Sequence, residues 1–176
     1  MRAIALLAVA VGIAGSMSAQ GIRNVRIDFG YGIAPSLHNP GPGYRGIHAN
    51  LGAETPLGNL VLHYIGRSSS PQLYGSGGEV RASTVALQIE QSWRSSRVQF
   101  TLAAGLGIFS AKISGYTFNW PPTIVNAETI TRVAFPVGMR MCWYATEHLG
   151  MGAAILGAYV EDNSYIGLHL FVRVGL

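Results

Sequence analysis

Residues Ile166-Gly167-Leu168-His169-Leu170-Phe171-Val172-Arg173-Val174-Gly175-Leu176 read as one β-strand. Every second position is a bulky aliphatic, and Gly, His, Phe, Arg and Gly fill the positions between. Side chains of a strand alternate between two faces, so this spacing makes one unbroken oily face and one mixed face.

Seven segments upstream carry the same alternation. The first spans about Arg23 to Ile33, with Val25, Ile27, Phe29 and Tyr31 against Arg26, Asp28, Gly30 and Gly32. The second, about Tyr44 to Ala53, sets Ile47, Ala49 and Leu51 against His48, Asn50 and Gly52. In the third, about Asn59 to Arg67, Leu60, Leu62 and Tyr64 are in phase. The fourth, about Glu79 to Trp93, sets Val85, Leu87 and Ile89 against Thr84, Ala86, Gln88 and Glu90. The fifth, about Arg97 to Ala111, sets Val98, Phe100, Leu102, Leu106 and Ile108 against Gln99, Thr101, Ala103, Gly105 and Gly107. In the sixth, about Glu128 to Met141, Val133, Phe135, Val137 and Met139 oppose Arg132, Ala134, Gly138 and Arg140. Proline cannot donate to a ladder, so Pro136 predicts a local bulge. The seventh, about Leu149 to Val160, has no clear phase, because both faces are small or apolar.

The connections alternate in length. The first (Ala34 to Gly43), third (Ser68 to Gly78) and fifth (Lys112 to Ala127) are long; the second, fourth and sixth are short. The seventh, Glu161-Asp162-Asn163-Ser164, breaks the alternation by being short. Transmembrane barrels of bacteria pair long outer loops with short inner turns.

Composition narrows the class. Met1-Arg2, an apolar stretch from Ala3 to Ala14 and the small residues Gly15-Ser16-Met17-Ser18-Ala19 make a secretory leader, with cleavage expected after Ser18 or Ala19. The 176-residue chain then divides into a signal peptide, 1–19, and a single domain, 20–176. Charged residues are 11% of the chain, against roughly a quarter in an ordinary soluble domain. Without the leader and Arg2, 11 basic residues face 8 acidic ones, but the arginines are scattered singly and Lys112 is the only lysine. No basic run exists to hold nucleic acid. Cys142, the single cysteine, excludes an intrachain disulfide framework.

A soluble lipocalin-like barrel alternates too, with the oily face inward. Two features favour the opposite orientation. The polar face is Gly, Ala, Ser, Thr, Gln and a few Arg, His and Glu, with no lysine in any strand, which suits a cramped interior better than a wetted exterior. Aromatic residues also collect near strand ends: Tyr31, Tyr44, Tyr64, Phe109, Tyr159 and Tyr165 toward the long loops, and Trp93, Phe100, Trp143 and Tyr144 toward the short turns. Two girdles are expected where rings meet lipid headgroups.

On the leader, the loop pattern and the alternation Leu168, Leu170, Val172, Val174, Leu176, the mature chain resembles the small eight-stranded outer-membrane barrels of the OmpA/OmpX type, and more loosely the uncharacterised outer-membrane β-barrel families. Here Leu176 stands where that family usually has Phe, and Phe171 lies in the other phase. The resemblance implies an all-β, antiparallel, up-and-down transmembrane barrel in the outer membrane of a Gram-negative bacterium. Its last strand would close against the first and be read by the barrel-assembly machinery. Outer-membrane lipids would surround a monomer, and no peptidoglycan-anchoring domain follows.

Arg26, Asp28, Glu90, Arg140 and Arg173 lie on the polar face and toward the short-turn end. An eight-stranded barrel is just wide enough for side chains to fill it, so these groups are expected to pair into an ionic network that plugs the lumen. A serine esterase resembling lipid A deacylase would need His and Ser two residues apart on one face. His63 and His169 have no such serine, and His48, His63 and His169 lack metal-ligand spacing. No catalytic, cofactor or metal site is therefore expected. Tyr116, Phe118 and Trp120 in the longest loop are the candidate partner-contact surface, with the partner unidentified. The sequence points to a structural or surface-interaction role. A lipid-modifying enzyme, a small-solute conduit and a soluble lipocalin-like binder stand as alternatives.

Overall fold

Alternating apolar and small polar residues, punctuated by Gly, Pro and Ser, fold into strands alone. The computed structural model describes residues 23–37, 44–55, 58–69, 78–116 and 124–176. Eight strands follow in chain order: β1 (Arg23–Ile33), β2 (Arg45–Thr55), β3 (Gly58–Ser68), β4 (Gly78–Ser95), β5 (Val98–Tyr116), β6 (Ile124–Tyr144), β7 (Leu149–Tyr159) and β8 (Tyr165–Gly175). Each pairs antiparallel with its chain neighbour, and β8 returns to β1 from Ile33 opposite Leu168 to Arg26 opposite Gly175, closing a barrel. Closure leaves no exposed ladder within the cylinder, the condition for a sheet in lipid. The expected leader, residues 1–19, lies outside the described residues.

The orientation of the faces follows from burial. Phe29, Leu87, Phe135 and Leu170 point outward, Leu170 with 70% of its surface exposed. Asp28, Glu90, Arg140 and Arg173 are buried within the cylinder. β1, β2, β3, β7 and β8 are 11 residues each, the length a tilted strand needs to cross a bilayer. Short turns close one end. The β4–β5 turn runs through Ser96 and Arg97, with Ser96 in the left-handed region (φ 52), and Gly58 starts β3 at φ 114. Only glycine adopts the latter without strain.

Four expectations change. First, much of the expected loop Lys112 to Ala127 is strand: β5 runs to Tyr116 and β6 starts at Ile124, so one strand does hold a lysine, Lys112, in its outward phase. Cross-strand pairing continues past the apolar band, Lys112 opposite Thr129 and Tyr116 opposite Ile124, because Thr, Ile, Val and Tyr favour it. From Ile124 to Ala134, β6 pairs with β5 alone; its pairing with β7 begins at Phe135. With β4 paired to β5 as far as Gly78 opposite Gly115, the sheet of β4, β5 and β6 extends beyond the cylinder.

Second, Pro136 makes no bulge. It sits opposite Ala158 of β7, and the β5 ladder skips Gly105 and Leu106 between Ala104–Val137 and Gly107–Ala134 without a change of register. A local opening toward β5 is enough to absorb the missing N–H. The shift in register lies instead between Ile113 and Gly115.

Third, the girdles are thinner than expected. Tyr31, Tyr64, Tyr159, Trp93 and Trp143 are outside, but Tyr44, Phe109, Tyr144 and Tyr165 are buried inside. Phe109 shares the parity of Thr101 and Ala103, and Tyr144 that of Arg140; nearness to a strand end says nothing about face. Fourth, β7 takes a definite phase. Ala154, Leu156 and Ala158 face inward, and Met151, Ile155 and Tyr159 outward, in register with β8.

Candidate functional site: the polar interior

Cross-strand register builds the interior. Asp28 on β1 lies opposite Arg173 on β8 and Asn50 on β2; Asn50 in turn lies opposite His63 on β3. One row of the barrel therefore reads Arg173, Asp28, Asn50, His63, all facing in. Arg173 grips Asp28 with two parallel bonds, Nε to Oδ1 at 2.7 Å and Nη2 to Oδ2 at 2.8 Å. The planar guanidinium matches the carboxylate fork, which makes this the strongest form of ion pair. Arg140, from β6, donates Nη1 to Asp28 Oδ2 at 3.3 Å and Nη2 to Glu90. Glu90, from β4, also pairs with Arg26.

The structure thus brings Arg26, Asp28, Glu90, Arg140 and Arg173 into one connected set in the short-turn half of the lumen. Three guanidiniums meet two carboxylates. Neutral groups take up the surplus positive charge: Arg173 Nη1 donates to Gln99 Oε1 (3.0 Å) and to Tyr144 Oη (3.3 Å), and Tyr144 donates to Gln99. The Asn50 amide completes the set. With its oxygen toward Arg140 Nη1 and its nitrogen toward His63 Nδ1, each at 2.6 Å, both ends are satisfied.

Gln99, Tyr144, Asn50 and His63 join the network beyond the five charges expected from the sequence. Gln99, Asn50 and His63 share the polar phase in the sequence, and Tyr144 shares the parity of Arg140 although its place near a strand end suggests the girdle. The row they occupy is not local information; for Asn50 and His63 the tight β2–β3 turn sets it through the Thr55–Gly58 pairing.

Above this network lies a second layer. His48 and His169 meet edge to face at 5.0 Å, and His48 packs on Phe171 at 6.0 Å. Gly30, opposite His48, has no side chain because a Cβ there would overlap the His48 ring and sit 2.6 Å from the Leu170 carbonyl. Nearest the long-connection end, Arg67 stacks on Tyr165 at 3.8 Å, flanked by Tyr44 and Phe109, and donates to the Ala34 carbonyl. Tyr165 donates to Thr84 at 3.1 Å.

The interior is built for cohesion. His63 faces inward to Asn50, whereas Ser68 is exposed on the outer face, so the two cannot act together. Among the described residues, no three His, Cys, Asp or Glu side chains converge to hold a metal ion. Of the candidate loop residues, Tyr116 is the last residue of β5, and Phe118 and Trp120 lie outside the described residues.

No known protein family matches the chain, and no curated protein matches it in sequence. Solved structures do. The chain is similar to Neisserial surface protein A, at 15% identity and a TM-score of 0.62, covering 88% of this chain and 99% of that one. It is similar to Ail, the attachment invasion locus protein of Yersinia pestis, in complex with the heparin analogue sucrose octasulfate (11% identity, TM-score 0.57, 88% and 97% covered). The N-terminal β-barrel domain of Pseudomonas aeruginosa OprF is a third (11%, 0.52, 88% and 100%). At these identities the likeness concerns the backbone, and with the closed cylinder and its outward aliphatic band it shows that the chain has the fold of the small eight-stranded outer-membrane β-barrels.

Proposed function

We propose that this chain is an integral outer-membrane barrel of a Gram-negative bacterium, with a structural or surface-interaction role and a lumen closed by its own side chains. The observation that carries the reading is the pairing of an aliphatic exterior with a buried ionic interior. Hydrocarbon accepts the first at no cost, and only a protein interior that supplies partners accepts the second. Residues 1–19 act as the secretory leader, β8 serves as the strand presented to the assembly machinery, and the barrel works as a monomer. The extension of β4, β5 and β6 beyond the cylinder at the long-connection end supports a role for the β5–β6 connection as the surface that meets an extracellular partner.

Partition into the outer-membrane fraction, with heat-modifiable migration on a gel, tests location and closure together. Recovery in the soluble fraction after osmotic shock would refute both. Planar-bilayer recording tests the plug: a silent trace is expected, and unitary conductance steps would show an open conduit.

A further inference from the structure

At the long-connection end, register sets Arg45 of β2 opposite Ser68 of β3, Ser68 opposite Arg81 of β4, and Arg81 opposite Lys112 of β5. All four are exposed and share the outward phase of Ile47, Tyr64, Val85 and Ile108. Three cations therefore lie along one row on the lipid side of the sheet. Two strand steps down, the row is Ile47, Gly66, Ser83 and Ser110; two further, it is Ala49, Tyr64, Val85 and Ile108. Lys112 is four residues beyond Ile108, about 13 Å along the strand at ~3.3 Å per residue. Aliphatic depth thus gives way to small residues and then to charge, the order of chains, glycerol backbone and headgroup in a lipid leaflet.

A depression of about 500 Å³ occupies this outer face, lined by Arg45, Arg81, Ser68, Ser83, Tyr31 and Tyr64 among others. Gly66 leaves its floor open, and Tyr64 uses the room: its hydroxyl is 2.7 Å from the position a Gly66 Cβ would take, leaning toward the cations. The opposite side of the barrel differs. At the same end, β1, β7 and β8 present Ile33, Tyr159 and Ile166. Glu79 lies two residues outward of Arg81 on β4, so Arg45, Arg81, Lys112 and Glu79 together carry a net charge of two positive.

We propose that Arg45, Arg81 and Lys112 form a seat for the phosphate-monoester headgroup of an outer-leaflet lipid, its acyl chains running down over Tyr64 and Ser83. Adjacent strands are ~4.8 Å apart, so the Arg81 and Lys112 side chains reach one phosphate together, and Arg45 closes from two strands away. Continuity with the aliphatic band selects a lipid over a free anion. This rests on the membrane reading above.

The test uses the full chain refolded into phosphatidylcholine nanodiscs, with insertion read first by heat-modifiable migration. Failure to insert overturns the membrane reading and this inference with it; insertion without headgroup preference overturns this inference alone. Native mass spectrometry then reads lipid retained by the protein from micelles doped with phosphatidate or phosphatidylcholine. Preferential retention of phosphatidate is expected. The triple variant Arg45→Gln, Arg81→Gln, Lys112→Gln should weaken it about a hundredfold, at roughly fivefold per cation near a membrane surface. The charge-preserving variant Arg45→Lys, Arg81→Lys should stay within about fivefold of wild type, since compact ammonium groups keep the attraction. Arg97→Gln, in the short turn at the other end, should change nothing, and excess inorganic phosphate should fail to displace the lipid. Wild-type retention by the triple variant would overturn the proposal, as would loss in the charge-preserving variant or an equal loss with Arg97→Gln. Displacement by inorganic phosphate would reassign the row to free anions.

Discussion

Asp28→Asn is the substitution that most directly tests how the interior is held. Asp28 and the two guanidiniums that pair with it, Arg173 and Arg140, are each only 1% exposed as side chains. The change keeps shape and removes one charge. It turns the two-bond grip of Arg173, at 2.7 and 2.8 Å, into at most one hydrogen bond to an uncharged carbonyl, and leaves three guanidiniums facing Glu90 alone. Removing one partner of a buried pair costs about 3 to 5 kcal/mol, because the other charge stays desolvated. The surplus Arg26, Arg140 and Arg173 charge puts this case at the upper end. Urea titration of the protein refolded into phosphatidylcholine vesicles, followed by fluorescence of Trp93 and Trp143 on the outer face, reads the loss. A second variant, Asp28→Asn with Arg173→Met, removes the stranded charge and should recover at least about half of it through the coupling of contacting residues. A single-variant loss below about 1 kcal/mol would refute the reasoning, for it would mean that water screens the interior and that the network is ornamental to stability.

Leu170→Arg places a guanidinium on the most exposed large apolar position of the central lipid face, opposite Tyr31 and Ala153, and should cost about 2 to 4 kcal/mol in the same titration. An unchanged midpoint would mean that the outer face meets water. Gly30→Ala drives a methyl into the His48 ring and the Leu170 carbonyl, and should cost about 1 to 3 kcal/mol by overpacking, read by the temperature at which the compact gel form is lost. Arg67→Met removes the cation stacked on Tyr165 and the bond to the Ala34 carbonyl; a loss of about 2 kcal/mol is expected, with the short-turn network left intact.

Energetically the barrel is a cylinder whose inside must satisfy itself. Two layers do so differently. The short-turn half uses charge against charge, with Gln99, Tyr144 and Asn50 as neutral bridges. The long-connection half uses a single cation against three aromatic rings. Between them the His48–His169 pair fills the width that Gly30 and Gly32 leave free. The ionic layer (Asp28 of β1 and Glu90 of β4 to Arg140 of β6) and the Arg67 layer (β3 to Tyr165 of β8 and Phe109 of β5) tie distant strands across the lumen, whereas the histidine pair bridges β2 and β8 over β1.

Much of this was legible in the residues themselves. Period-two alternation names the faces of β8, β4 and β5 without ambiguity, since a strand has only two sides. The five interior charges were identifiable because charge at an inward position has nowhere to go but a partner. Alternation also puts Phe109 and Tyr144 inside, because parity, not nearness to a strand end, sets the face. Other features were hidden for physical reasons. Pro136 looked like a bulge because a sequence shows the missing donor and not the neighbouring strand that yields to it. β7 had no phase of its own, as Gly, Ala, Ile and Leu fit either side, and only pairing with β8 chose one. The reach of β5 and β6 beyond the bilayer depended on each strand finding the other.

The chain alone determined that strands would form, how many, and which face of each would be oily, because those properties are local and repeat every second residue. Tertiary structure alone decided which rows formed across neighbouring strands. Asp28 meets Arg173, and Arg45 aligns with Arg81 and Lys112, through registers set by turns and closure. Those registers join residues far apart in sequence, and no local pattern encodes the height at which one strand slides against the next.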